Sequence, residues 1–259
     1  MVTESTAEDI GRPDMAVAVG GALAGHIELK KPGTGADPTR FTGHNAQQWR
    51  KFQELPNLIY TDGNAWALYR SGQRVGDIVD IGEIDRRGVR GLKLETVPAF
   101  LTIIREFLSW EPVTPASPRA LAELLAPLCR FLRDDVLQAV KNSESALAQL
   151  AYEWRTTLFP DATDEAFADA YAQTLTYALL LARFDGASDL RPNRAAETLS
   201  RKHKLLGHVL TLLADPQTRQ EIGTGVDILV RVIGAVDPTR LMERDPDPVS
   251  YTHLTLPTN

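Results

Sequence analysis

The sequence predicts an α/β unit followed by an all-α unit. Up to about residue 95, short runs rich in β-branched and aromatic residues alternate with glycine-containing turns, the pattern of strands joined by tight connections. Beyond that point apolar residues recur three and four positions apart, the period of helices with one buried face. Ser117-Pro118, Asp215-Pro216 and Asp237-Pro238 each carry a helix-start signal in which proline fills the first helical position. The expected division is an α/β domain over 1–95, a helical connector domain over 96–248, and a tail over 249–259.

The elements follow from local pattern. Met15–Val19 reads as a strand ended by Gly20-Gly21, and Leu23–Lys30 as a second strand ended by Pro32-Gly33. Asn45–Glu54 is helical. Leu58–Tyr60 and Trp66–Tyr69 are strands around an Asp62-Gly63 turn, and Ser71-Gly72 turns the chain again toward a last strand at Asp77–Ile81. Phe100, Ile103, Ile104, Phe107 and Leu108 mark one helix. Further helices are expected at Ser145–Phe159, Asp164–Arg183, Ala195–Leu213 and Thr218–Ala235. From Val249 the chain has no helix period. It resembles a translated adapter scar, in which case the natural protein continues past residue 248.

Bulk properties exclude more than they assign. With 43% hydrophobic residues the chain can bury a real core. Residues 1–95 carry 12 basic and 13 acidic residues and the remainder 16 and 21, so the net charge of −6 advertises no polyanion. The lone Cys129 sits in an apolar pattern, where a buried small hydrophobe is expected rather than a disulfide or zinc ligand. The amino terminus is acidic and polar, unlike a signal peptide, and no apolar run has the length of a membrane span. The reading is a soluble cytoplasmic protein.

One constellation carries chemistry: Pro13-Asp14, then Glu28-Leu29-Lys30 fourteen positions later. Phosphodiester hydrolysis needs a divalent cation to activate water and neutralise charge on the phosphate. Mg²⁺ prefers oxygen ligands and keeps several waters, so two carboxylates and a backbone carbonyl suffice. If Met15–Val19 and Leu23–Lys30 form a hairpin, a three-residue loop places Asp14 across from Glu28. A two-residue loop places Asp14 across from Ile27, on the wrong face, unless a bulge corrects the register. Glu28 and Lys30, two apart, share a face, leaving Ile27 and Leu29 for the core. The plain alternative is an exposed Glu28–Lys30 ion pair of little consequence.

A wider pattern surrounds these residues. Arg12-Pro-Asp14, Gly25-His-Ile-Glu-Leu-Lys-Lys-Pro-Gly33, Gln48-Trp49, Leu55-Pro-Asn-Leu-Ile-Tyr-Thr-Asp-Gly63 and Trp66-Ala-Leu-Tyr-Arg70 together resemble the amino-terminal PD-(D/E)xK nuclease region of large single-chain restriction–modification enzymes. Phe167 to Tyr177 resembles the helical connector of the same proteins. The resemblance implies a restriction-endonuclease-like mixed sheet with flanking helices, followed by a helical bundle. It implies Asp14 and Glu28 as metal ligands with the Leu29 carbonyl as a third, Lys30 serving the water, and Gln48 near the site, with Gln47 as a possible confusion. The implied cofactor is Mg²⁺ (Mn²⁺ possible) and the implied partner double-stranded DNA. A methyltransferase using S-adenosylmethionine and a recognition domain would lie in cis, outside these residues. An inactive module that docks DNA or the methyltransferase is the alternative.

Three departures accompany the resemblance. The helix usually preceding the Pro-Asp strand is short or missing, with Glu4 or Glu8 as conceivable stand-ins for its acid. Neither an Asn-Pro-Pro-Tyr-like motif nor a glycine-rich methyl-donor loop occurs, and no Walker loop occurs. Gly33–Pro38 reads as a loop over the site, and His26 as structural. Arg191, Arg194 and Arg201–Lys204 form a basic cluster on a solvated helix face, with phosphate contact as the sharper alternative. Trp49, Trp66, Trp110 and Trp154 are expected in the core.

Overall fold

The computed structural model describes residues 2–4, 12–213 and 215–244. It divides into two compact units, Met1–Glu111 and Pro112–Asn259. The first is built on a mixed sheet whose strands lie in sequence order: β1 (Val2–Glu4), β2 (Met15–Val19), β3 (Ala22–Leu29), β4 (Leu58–Thr61), β5 (Ala65–Arg70) and β6 (Gln73–Asp80). Every neighbouring pair is antiparallel except β3 and β4, which run parallel. A parallel pair needs a crossover, and here it carries a 3-10 turn (Pro38–Arg40) and helix α1 (Gly43–Phe52). A one-turn helix α2 (Ile84–Arg87) and helix α3 (Val97–Leu108) complete the unit.

Alternation along the strands sorts the two faces. Val17, Ile59, Leu68 and Val79 join Ile81 and the α3 residues Ile103 and Phe107 in one buried cluster, with Ile27 and Trp66 partly buried against it. Tyr60 and Tyr69 alternate with Ile59 and Leu68 and meet Trp49 of α1, at ring-centroid distances of 5.6 and 5.1 Å. Helix α3 therefore closes one face and α1 covers the other. This is why the first unit ends after Glu111 and not near residue 95: α3 has a helical period but packs on the sheet. Strand β6 begins earlier than Asp77 because it is an edge strand with mostly solvent-facing side chains, so it lacks the apolar alternation that marks a half-buried strand.

The second unit is helical: α4 (Pro118–Val140), α5 (Ala146–Thr157), α6 (Asp164–Phe184), α7 (Pro192–Ser200), α8 (Lys204–Leu213), α9 (Pro216–Gly234) and α10 (Pro238–Arg244). Its core lies where α4 packs against α6 and α9, around Leu132, Val136, Leu175, Leu179 and Leu229. Gly225 permits this approach, since a Cβ there would meet Leu132 at 3.1 Å. Ser117, Ser145 and Asp215 accept N–H bonds as helix caps, and Glu221 of α9 also accepts from the Ala146 and Leu147 amides at the start of α5. The single helix expected over Ala195–Leu213 is two, separated at Arg201–His203 and folded so tightly that a Cβ on Gly207 would lie 2.1 Å from Ser200 Oγ. Cys129 is buried, as expected. Among the described residues no helix is long and apolar enough to cross a membrane. The tail at 249–259 lies outside the described residues.

Candidate active site

The site begins with the β2–β3 hairpin. Gly20 and Gly21 form its two-residue turn at φ of +59° and +84°, a left-handed pair that side-chain-free residues adopt without strain. Val19 faces Ala22 and Ala18 faces Leu23, but Val17 faces Gly25, so Ala24 is an extra residue on β3. That bulge moves the register by one, giving Ala16 opposite His26 and Met15 opposite Ile27. One step further, Asp14 comes opposite Glu28. Of the two hairpins compatible with the sequence, the structure has the two-residue turn with a correcting bulge.

Backbone and side chain then interlock. The Leu29 amide donates to Asp14 Oδ2 at 2.7 Å, and the Asp14 amide donates to Glu28 Oε2 at 3.3 Å. Lys30 Nζ donates to Glu28 Oε1 at 2.7 Å. Glu28 and Lys30 are only 2% and 6% exposed, so the ion pair is buried, not the solvated pair of the plain alternative. Burial pushes the Glu28 carboxyl up to about 7; the Lys30 ammonium opposes the rise, the nearby Asp14 carboxylate adds to it, and the bond from the Asp14 amide lowers it.

Lys30 also donates to Gln48 Oε1. Gln48 is half-buried in α1 whereas Gln47 is exposed, so the helix presents the second of the two glutamines to the site. The Lys30 ammonium lies 5.6 Å from the Tyr60 ring centroid and 6.0 Å from that of Phe41, an aromatic floor that holds a cation electrostatically. Among the described residues two of the three N–H donors on Lys30 are engaged, by Glu28 and Gln48, which leaves one for a water or phosphate oxygen.

Two neighbours carry roles that sequence reading missed. In the sequence Asp62 is legible only as part of a turn. Its Oδ1 does close that turn, accepting from Asn64 and Ala65, but its Oδ2 accepts from Gly33 (3.0 Å) and Gly35 (2.7 Å). These backbone donors hold its carboxyl below the usual range against the opposing effect of burial. The glycine loop after Lys30 is thereby clamped to the end of β4, and Tyr69 adds a bond from its hydroxyl to the Ala36 carbonyl at 2.9 Å. Tyr60, which faces Glu28 across the β3–β4 ladder, buries a hydroxyl that has no hydrogen-bond partner among the described residues. Burial, with Glu28 and other neighbours, pushes that phenol upward. Only the alternation of Tyr60 with Ile59 signalled that it would share the face of Glu28.

The remaining expectations divide. His26 is 2% exposed, its Nε2 has no hydrogen-bond partner among the described residues, and burial lowers its pKa to about 4, so it is a neutral imidazole beneath the site. Leu29 does not enter the core. It is 47% exposed, because the last residue of β3 lies beyond the apolar layer over α3. All four tryptophans are half-buried rather than core residues. Glu4 pairs through its backbone with Met15, while Glu8 lies outside the described residues. In the basic cluster Arg191 pairs with Asp189, Arg194 with Glu197, and Lys202 with Asp185, which offsets much of its charge. Among the described residues no cluster of three or more His, Cys, Asp or Glu could hold a metal ion, so any cation here depends on the carboxylate pair and backbone oxygen.

No family model matches this chain, and no curated protein matches it. A chain from a cryo-EM structure described as a DrdV–DNA complex aligns at TM-score 0.27 and 14% sequence identity, over 88% of the present chain. The present chain spans 21% of that chain's length. Similarity at this level assigns neither fold nor activity.

Proposed function

We propose that the sheet-containing unit is a Mg²⁺-dependent DNA endonuclease module with a restriction-endonuclease-like core of the PD-(D/E)xK type. The observation that carries the reading is the opposition of Asp14 and Glu28 at the open end of a bulged hairpin, with Lys30 bonded to Glu28. DNA as the substrate rests on the resemblance of the sequence blocks around these residues.

The donor set fits a hard cation. Asp14, Glu28 and the Leu29 carbonyl offer oxygen alone, and Mg²⁺ commonly takes one or two carboxylates and retains water. When bound, the cation supplies charge neutralisation at the phosphate and a more acidic water. The chain's own residues do the rest. Glu28 gives up its proton to act as a ligand. Lys30 directs its remaining N–H toward the attacking water or a phosphate oxygen. Gln48 fixes the Lys30 ammonium from the helix side, so the donor is in place before the substrate arrives.

A Mn²⁺ titration of the full chain, read by electron paramagnetic resonance, tests the reading. Binding is expected to weaken at least tenfold in Asp14→Ala and in Glu28→Ala, an effect of the size seen when metal sites lose a supporting group. Unchanged binding in both variants would remove the proposed metal site.

A further inference from the structure

Asn57 lies immediately before β4 and outside the set of residues assigned to chemistry. Its side chain is fully buried, and its Nδ2 donates to the Ala24 carbonyl at 2.7 Å and to the Phe107 carbonyl at 2.9 Å. Ala24 is the bulged residue of β3. The backbone carbonyl of Asn57 also accepts from the His26 amide at 3.0 Å, on the other side of Gly25. Asn57 therefore grips β3 on both sides of the position where the register changes.

Gly25 makes this grip possible. A Cβ there would lie 2.5 Å from the Asn57 carbonyl, 2.8 Å from its Nδ2 and 2.6 Å from the Phe107 ring. No side chain fits between the bulge, Asn57 and α3.

The register has a chemical consequence. The Gly20-Gly21 turn alone sets a ladder in which Val19 faces Ala22 and Ala18 faces Leu23. Continued without a bulge, that ladder puts Met15 opposite His26 and Asp14 opposite Ile27, so the two carboxylates fall on opposite faces of the hairpin. One extra residue, absorbed at Ala24, brings them onto one face. We infer that Asn57 is a positioning residue for the carboxylate pair: by fixing the bulge at Ala24 it selects the register in which Asp14 opposes Glu28. The functional consequence rests on the proposed metal site, whereas the register itself can be read without metal or DNA.

Paired cysteines in the full chain provide that reading, since directly opposed strand residues lie within disulfide range. In the native background Met15→Cys/Ile27→Cys is expected to cross-link and Met15→Cys/His26→Cys is not. Adding Asn57→Ala should shift cross-linking from the first pair toward the second and, without the cysteines, weaken Mn²⁺ binding by about 10–100-fold. Deleting Ala24 removes the residue that the bulge absorbs. That deletion in the Asn57→Ala background should restore the Met15–Ile27 cross-link and bring Mn²⁺ affinity back to within about threefold, which a general packing defect at Asn57 would not allow. Ala24 deletion alone should keep the native cross-link, so the inference is testable even if Asn57→Ala fails to fold. Native cross-linking retained in Asn57→Ala, no rescue on deleting Ala24 from a folded Asn57→Ala chain, or loss of the native cross-link in the Ala24 deletion would each overturn the inference. Cross-links that follow Asn57 in a chain that binds no Mn²⁺ would sink the proposed metal site and leave the register control intact.

Discussion

The amide of Asp14 donates to the carboxylate of Glu28 at 3.3 Å, so one acid's backbone is a ligand of the other acid's side chain. With the Leu29 amide returning a bond to Asp14 at 2.7 Å, the two residues are locked in mutual register before any cation binds. A change at either position therefore disturbs both.

Protons should compete with the cation. Burial holds the Glu28 carboxyl up to about 7, and it must ionise to act as a ligand. Metal affinity is then expected to be about tenfold weaker at pH 6 than at pH 8, with proton release on binding near pH 6. Calorimetric titration in two buffers of different ionisation enthalpy measures both, and an affinity constant across that range would contradict the assignment.

His26 and Glu28 should oppose each other in the stability of the unliganded chain. The Glu28 carboxyl is raised from 4.5 to about 7, so its contribution is fully present below 4.5 and is lost as pH rises through 7. The His26 imidazole is lowered from 6.5 to about 4, so its contribution is present above 6.5 and is lost as pH falls through 4. Between 4.5 and 6.5 the two slopes have opposite sign. Replacing the imidazole by an apolar group in His26→Leu leaves the Glu28 slope alone. Denaturant melts of that variant should show stability rising as pH falls across this window, by an amount on the order of 2–3 kcal/mol. A pH dependence across this window unchanged from that of the native chain, in which the two slopes largely cancel, would count against the buried neutral imidazole.

The two adjacent glutamines should differ in kind. Gln48 accepts from Lys30, whereas Gln47 is exposed. Gln48→Ala is expected to lower the rate of plasmid nicking by about 10–100-fold, and Gln47→Ala to leave it within about twofold. Equal effects in the two variants would remove Gln48 from the site.

Asp62 should control the loop that follows Lys30. Its carboxylate accepts from the Gly33 and Gly35 amides as well as closing its own turn. Asp62→Ala is expected to destabilise the unit by about 2–4 kcal/mol and to abolish hydrogen-exchange protection at Gly33 and Gly35. Retained protection at those two amides would show that the clamp lies elsewhere.

Much of this site was legible because strand alternation is a strong local constraint. Glu28 and Lys30 had to share a face, and the hairpin length left only two ways for Asp14 to join them. The choice between those ways was not legible, because it depends on Asn57 reaching Ala24 from the start of another strand. The clamp by Asp62 was hidden for the same reason: it bonds a loop far away in sequence. The apolar period of α3 marks a helix but not its partner, since periodicity reveals a buried face without naming what covers it. The break between α7 and α8 escaped because the apolar period runs through it. The close approach at Gly207 and Ser200 is a tertiary fact.

The most direct measurement is cleavage of supercoiled plasmid by the full chain with Mg²⁺ or Mn²⁺, native against Lys30→Ala. The expected result is metal-dependent nicking by the native chain, abolished by chelation and reduced at least about 100-fold in the variant, the loss typical of removing a group that serves proton transfer. Nicking that persists at the native rate in Lys30→Ala, or no metal-dependent nicking by the native chain, would contradict the proposal that Asp14, Glu28 and Lys30 form a nuclease centre.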